Sequence, residues 1–143
     1  MQAGGSAAVF DRYARELSGL AVVQGEQERD LWNRLREFTP NFLQANPGAA
    51  VVRHSCTLSE VGAILEALPA PALARAASGI CYGYFLDPEQ ALGKGVIEFA
   101  PAQLRQRGPL WPCPGGDFAI MQKVKELFDP RRLLNPGRLY GRI

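Results

Sequence analysis

The chain has 143 residues, is 47% hydrophobic and 21% charged, and carries a formal net charge of +2. That length suits one domain able to bury roughly two-thirds of its unfolded surface, and the composition excludes collagen-like, mucin-like and broadly disordered chains. A charge of +2 is too small to argue for nucleic acid, and the Arg excess is spread along the chain rather than gathered on one stretch. Cys56, Cys81 and Cys113 form no CxxC spacing and His54 is the single histidine, which argues against a disulfide framework and a zinc site. Each cysteine is expected to be a small buried hydrophobe. No apolar run approaches the roughly 20 residues of a bilayer span. The start Met1-Gln-Ala-Gly-Gly-Ser lacks the features of a signal peptide, so a reducing cytoplasm is the expected compartment, with no membrane insertion.

The first periodic segment runs from Ser6 to about Leu17. Val9, Phe10, Tyr13 and Leu17 share a helical face, with Ser6 as N-cap and Ser18-Gly19 as the stop. Leu20 to Gln24 is short and apolar and reads as a buried strand. A second helix is expected from about Glu26 to Phe38, with acidic residues near its start, Arg36 near its end and Pro40 as its stop. Asn46-Pro47-Gly48 signals a turn, and Ala49 to His54 reads as the next strand.

Thr57-Leu-Ser-Glu60 has the form of a capping box. The stripe Leu58, Val61, Ile64, Leu65 and Leu68 follows it, and Pro69 and Pro71 end that helix. Ala76 to Phe85 reads as a third strand with Tyr82 and Tyr84 on one face. Val96 to Phe99 reads as a fourth that pairs back on the third through the Gly93-Lys94-Gly95 turn. Residues 100–116, with four prolines, read as irregular. A last helix is expected from Asp117 as N-cap to Phe128, with Ile120, Met121, Val124, Leu127 and Phe128 as its stripe and Asp129-Pro130 as its stop. Strand-helix-strand units with an added hairpin favour an open α+β sandwich, one antiparallel or mixed sheet with helices on one face.

Most catalytic signatures are missing. There is no GxGxxG, Walker loop, GxSxG or HExxH, so a self-contained acid–base enzyme and a resident metal are not expected. Arg53 and His54 end a strand just before a helix start, a place where ligands and anions bind, and Arg can hold a carboxylate in a bidentate pair. Tyr82 lines a pocket if its strand face looks into a crevice. In the tail, Leu133-Leu134 can anchor a loop, Asn135-Pro136-Gly137 makes a tight turn, and Arg138 follows on a rigid support.

The tail string Phe128-Asp-Pro-Arg-Arg-Leu-Leu-Asn-Pro-Gly-Arg-Leu-Tyr140, with Lys125 before it, resembles the C-terminal signature of FAD-linked oxidases of the vanillyl-alcohol oxidase type. Within that family it looks most like the flavin-binding subunits of bacterial glycolate oxidases. Leu31 to Glu37, Val51 to Ser55 and Pro109-Leu110 resemble further family segments, so the likeness extends over about residues 20–143. His54 and Cys56 depart from the family's residues at those places.

The resemblance implies the whole chain, 1–143, is one C-terminal, substrate-side domain of ferredoxin-like α+β fold. It implies FAD held by an N-terminal domain that this sequence does not contain. That FAD-binding domain belongs to the same parent chain or to a partner subunit, and the start Met1-Gln-Ala-Gly-Gly favours a shortened reading frame. The parent reaction is oxidation of a 2-hydroxy acid such as glycolate, with electrons passing to an electron-transfer partner. The candidate substrate contacts are Arg53, by resemblance, with His54 and Tyr82 from their places on the strands; Asn135, Gly137 and Arg138 are, by resemblance, the candidate cofactor contacts. This chain itself supplies no catalytic residue. The alternative is a stand-alone ferredoxin-like module that binds a small regulatory molecule at His54-Ser55. A third reading is a structural assembly domain. An exposed apolar patch would mark a lost partner surface.

Overall fold

The computed structural model describes residues 5–19 and 21–140. The chain divides into two compact units, Met1–Asn41 and Phe42–Ile143.

In the first unit, α1 (Ala7–Glu16) and α2 (Glu26–Arg36) form where the apolar periodicity places them. Ser6 has the extended backbone of an N-cap without a side-chain cap bond, and Gly19, at φ 99°, turns the chain after α1. Residues 21–24 form no strand. They are exposed, Val22 at 62%, and Leu20 lies outside the described residues. An isolated extended segment has no ladder to satisfy its peptide groups, so apolar character alone does not make a strand there. The helix expected up to Phe38 ends at Arg36, and a separate α3 (Phe38–Ala45) follows with Pro40 inside its first turn. Proline fits there because the first-turn N–H groups have no intrahelical acceptor.

In the second unit, Asn46 accepts from Ala49 N–H at 3.0 Å, closing the expected turn. Strand β1 (Ala50–Ser55) leaves it. The Glu60 carboxylate reaches back to Thr57, accepting from its N–H at 2.8 Å and its hydroxyl at 2.7 Å. This box opens a 3-10 turn, Leu58–Glu60, that runs into α4 (Val61–Ala67). The strand expected over 76–85 forms only from Ile80 onward, and an unexpected strand precedes it. β2 (Ala72–Arg75) is separated from β3 (Ile80–Phe85) by a 3-10 turn over Ala76–Ser78. The break is Gly79, at φ 61°, where a Cβ would stand 2.0 Å from the Cys56 carbonyl oxygen. The alanine-rich run 72–77 lacks the alternation that would have marked β2.

Strand β4 (Val96–Phe99) does not pair with β3 as expected. It pairs with β1, giving the order β2-β3-β1-β4 with every pairing antiparallel. This is the strand order of the split β-α-β, or ferredoxin-like, arrangement, an open α+β sandwich. The link from β3 to β4 is therefore a crossover over β1 rather than a hairpin. It contains a 3-10 turn, Pro88–Ala91, capped by the Asp87 side chain, which accepts from Glu89 N–H. Ala91 is completely buried.

Alternation along the strands puts Ala50, Val52, Gly83, Phe85 and Ile97 on one sheet face. The main core forms there, with Leu104 of α5 (Ala102–Arg107), Ala91, and flanking Leu68, Leu92 and Leu110. α5 lies in the stretch expected to be irregular; one turn and a half is too short for a periodic signal. On the other face Val51 and Tyr84 are buried, and Phe42 meets Tyr84 edge to face at 5.0 Å.

Helix α6 (Phe118–Phe128) starts after Asp117 as expected. Its stripe, however, points outward: Ile120, Val124, Leu127 and Phe128 are all at least half exposed, Phe128 at 78%. Phe118 is its buried residue and meets Tyr140 edge to face at 5.3 Å.

Candidate functional site

The C-terminal turn is built around one carboxylate. α6 ends at Phe128, and Asp129 follows with its side chain turned back into the loop. Its Oδ1 accepts from Leu133 N–H and its Oδ2 from Leu134 N–H, both at 2.9 Å. Lys125, one turn earlier on α6, places Nζ 2.6 Å from Oδ2 and also donates to the Leu134 carbonyl. Asp129 is 7% exposed, so these bonds replace the water it gives up on folding. They hold its carboxyl well below the usual range, at about 2; the Lys125 hydrogen bond is the largest cause, followed by the amides of Leu134 and Leu133.

That latch explains the spacing of the tail. Arg132, Asn135 and Gly137 all have positive φ, at 52°, 45° and 69°. Such backbone is costly for residues other than glycine and persists where surrounding bonds hold it. Arg138 N–H donates to the Asn135 carbonyl at 3.2 Å, which closes the turn. The result is an open cleft of about 330 Å³ lined by Trp111, Lys125, Leu134, Asn135, Arg138 and Leu139. Two of the three expected cofactor contacts, Asn135 and Arg138, therefore line one cleft, and Gly137 gives the turn between them its left-handed corner. Lys125, Asp129 and Trp111 were missed as part of this site. The signal for the first two was present: a Lys and an Asp four residues apart at a helix end, just before a turn needing fixed amides.

The three expected substrate contacts do not share a surface. Arg53 and Tyr82 are register partners and lie on one sheet face, together with Arg75, whose guanidinium stands 5.5 Å over the Tyr82 ring. His54 points to the opposite face, its Cε1 beside Gly95. Burial, and then the charge of Lys94, push its pKa below 6.5, and its buried Nε2 has no hydrogen-bond partner among the described residues. Arg53 already faces an internal carboxylate. Its Nε is 3.2 Å from Glu98 Oε1, an ion-pair distance, but the N–H is not aimed at that oxygen and makes no hydrogen bond.

The cleft residues suit contact with the edge of a larger polar or anionic group. The Asn135 amide and Arg138 guanidinium are donors, and Trp111 adds an apolar wall. The cleft does not enclose such a group, so most of its binding would have to come from elsewhere. Among the described residues no group of three or more His, Cys, Asp or Glu side chains could hold a metal ion, and no helix is long and apolar enough to cross a membrane.

Residues 114–139 match the family model described as FAD linked oxidases, C-terminal domain. The matched stretch contains α6, the Asp129 latch, and Asn135, Gly137 and Arg138. It does not reach the three upstream segments that also resemble the family. No curated protein and no solved structure matches the chain significantly. The family match supports a C-terminal domain of an FAD-linked oxidase.

Proposed function

We propose that the chain is the C-terminal, substrate-side domain of a flavin-dependent 2-hydroxy-acid oxidase or dehydrogenase of the glycolate-oxidising kind, inactive by itself. Its FAD-binding domain comes from the same parent chain or a partner subunit, an electron-transfer subunit follows, and the assembly works in the cytoplasm. The observation that carries this reading is the latched turn. The segment matching the family is also where Lys125 and Asp129 fix Asn135 and Arg138 on one cleft.

The outward stripe of α6 adds support. Ile120, Val124, Leu127 and Phe128 share one exposed face of α6, and Leu133 and the cleft residue Leu134 are exposed as well. An exposed apolar helix stripe of this kind suits a site of association. Bound FAD would supply hydride acceptance, chemistry no side chain here provides. This chain's part is positional: Asn135 and Arg138 donate to the cofactor's edge, and Arg53 holds a substrate carboxylate beside Tyr82, exchanging Glu98 for it. His54 lies on the other sheet face, so a contact from it to the same substrate molecule requires a different surface.

The test is to capture the native species from its source cell with an antibody against this chain, then read its size and visible absorbance. Flavin absorbance in the captured species, in one long chain or with a larger partner, is expected. A species of 15.6 kDa without flavin overturns the reading and favours the regulatory module. In the flavin-containing assembly, Arg138→Ala should lower flavin occupancy or turnover about tenfold or more, the loss of one charge-assisted contact.

A further inference from the structure

The corner where β1 ends and β3 begins brings two thiols together. His54 is the register partner of Cys81, and Ser55 of Ile80. The ladder continues one step past the strands, where Cys56 N–H donates to the Gly79 carbonyl at 2.8 Å. Alternation then puts Cys56 on the sheet face that carries Cys81, one diagonal step away. The neighbouring Cys56 thiol is, after burial, a cause that raises the Cys81 pKa, and Cys56 Sγ itself lies 3.5 Å from the Gly79 carbonyl oxygen. Their environments differ. Cys81 is completely buried, and burial is the main cause that keeps its thiol protonated. Cys56 is half-buried and reachable from solvent, and the third cysteine, Cys113, is exposed.

We propose that Cys56 and Cys81 form a peroxide-reactive dithiol site, in which Cys56 is oxidised first and Cys81 resolves it as an intramolecular disulfide. The Cys56 sulfur attacks one peroxide oxygen, an S–O bond forms, and the O–O bond breaks. The departing oxygen takes the thiol proton and leaves as water or alcohol. The Cys81 sulfur then attacks the sulfenic sulfur; an S–S bond forms, the S–O bond breaks, and hydroxide leaves with the Cys81 proton as water. Two thiols lose two electrons and the peroxide gains two. Diagonal neighbours stand roughly 7–8 Å apart, beyond the span of a disulfide, so the Ala76–Gly79 corner must draw in as the bond forms. Gly79, in a left-handed conformation between the 3-10 turn and β3, is the joint at which that happens. The inference is independent of the flavin reading and concerns this chain alone.

The test treats the folded chain with hydrogen peroxide and maps its thiols by mass spectrometry. Two of the three thiols should disappear, the mass should fall by about 2 Da, and a Cys56–Cys81 peptide link should appear that dithiothreitol reverses. Cys113→Ser should behave like the parent chain. Cys81→Ala should instead leave Cys56 as a sulfenic acid that dimedone traps. Oxidation confined to Cys113, a Cys56–Cys113 link, or Cys56 oxidation without any link to Cys81 in the unmutated chain would each overturn the proposal. Because the link is read in the unmutated chain, a variant that fails to fold does not remove the test.

Discussion

Asp129 shows how one side chain can set a segment that its neighbours in sequence do not. Its carboxyl pKa in the fold, about 2, lies below its ordinary 3.8, so the charged form is favoured by folding. The latch therefore contributes fully above ~pH 4 and is lost as pH falls through about 2. The Leu133 and Leu134 amides should lose protection across that window, read by amide NMR, while β1 amides keep theirs. Asp129→Asn keeps the shape but removes the charge facing Lys125; those two amides should then exchange faster at neutral pH. His54 titrates the other way around in charge but with the same direction in stability. Its folded pKa is below 6.5, so acidification from pH 6.5 protonates the unfolded chain first and lowers stability. Lys94→Gln should raise the His54 pKa in an NMR titration, since the Lys94 charge is one of its two causes.

At the scale of elements, glycines decide where strands lie and how closely helices approach. A Cβ on Gly83 would meet Leu68 Cδ2 at 2.7 Å and Phe85 Cε2 at 3.0 Å. Gly83→Ala should cost about 1–3 kcal/mol by overpacking between the sheet and α4, seen as a lower urea midpoint with an unchanged slope. Gly79→Ala should cost more, because the conflict is with backbone and the φ is 61°. The sequence marks β1, β4, the Thr57–Glu60 box and α6 by alternation, capping residues and helical period. β2 is not marked, because Ala72, Ala74, Ala76 and Ala77 fit helix, strand and turn alike, and only hydrogen bonding to β3 settles the choice.

For the molecule as a whole, the informative surface is the one folding leaves uncovered. A helix stripe at apolar spacing predicts burial, yet Leu127 and Phe128 are 75% and 78% exposed. Phe128→Ser should therefore change the stability of the chain by no more than about 0.5 kcal/mol in chemical denaturation. The same substitution should weaken capture of the flavin-carrying partner under the proposed function, since it removes apolar area from the docking surface.

The sequence by itself determined the α+β class, the starts of α1, α2 and α6 and the tail motif, because capping, period and turn chemistry are local and are written in neighbouring residues. Lys125, Asp129, Asn135 and Arg138 were legible as part of the tail signature, but the latch that Lys125 and Asp129 form was not. Only the tertiary structure decided that β4 lies beside β1, that Arg53 and Tyr82 share a face while His54 does not, and that the α6 stripe meets solvent. Each of these depends on which distant segment supplies the partner, and pairing across tens of residues leaves no mark in local composition.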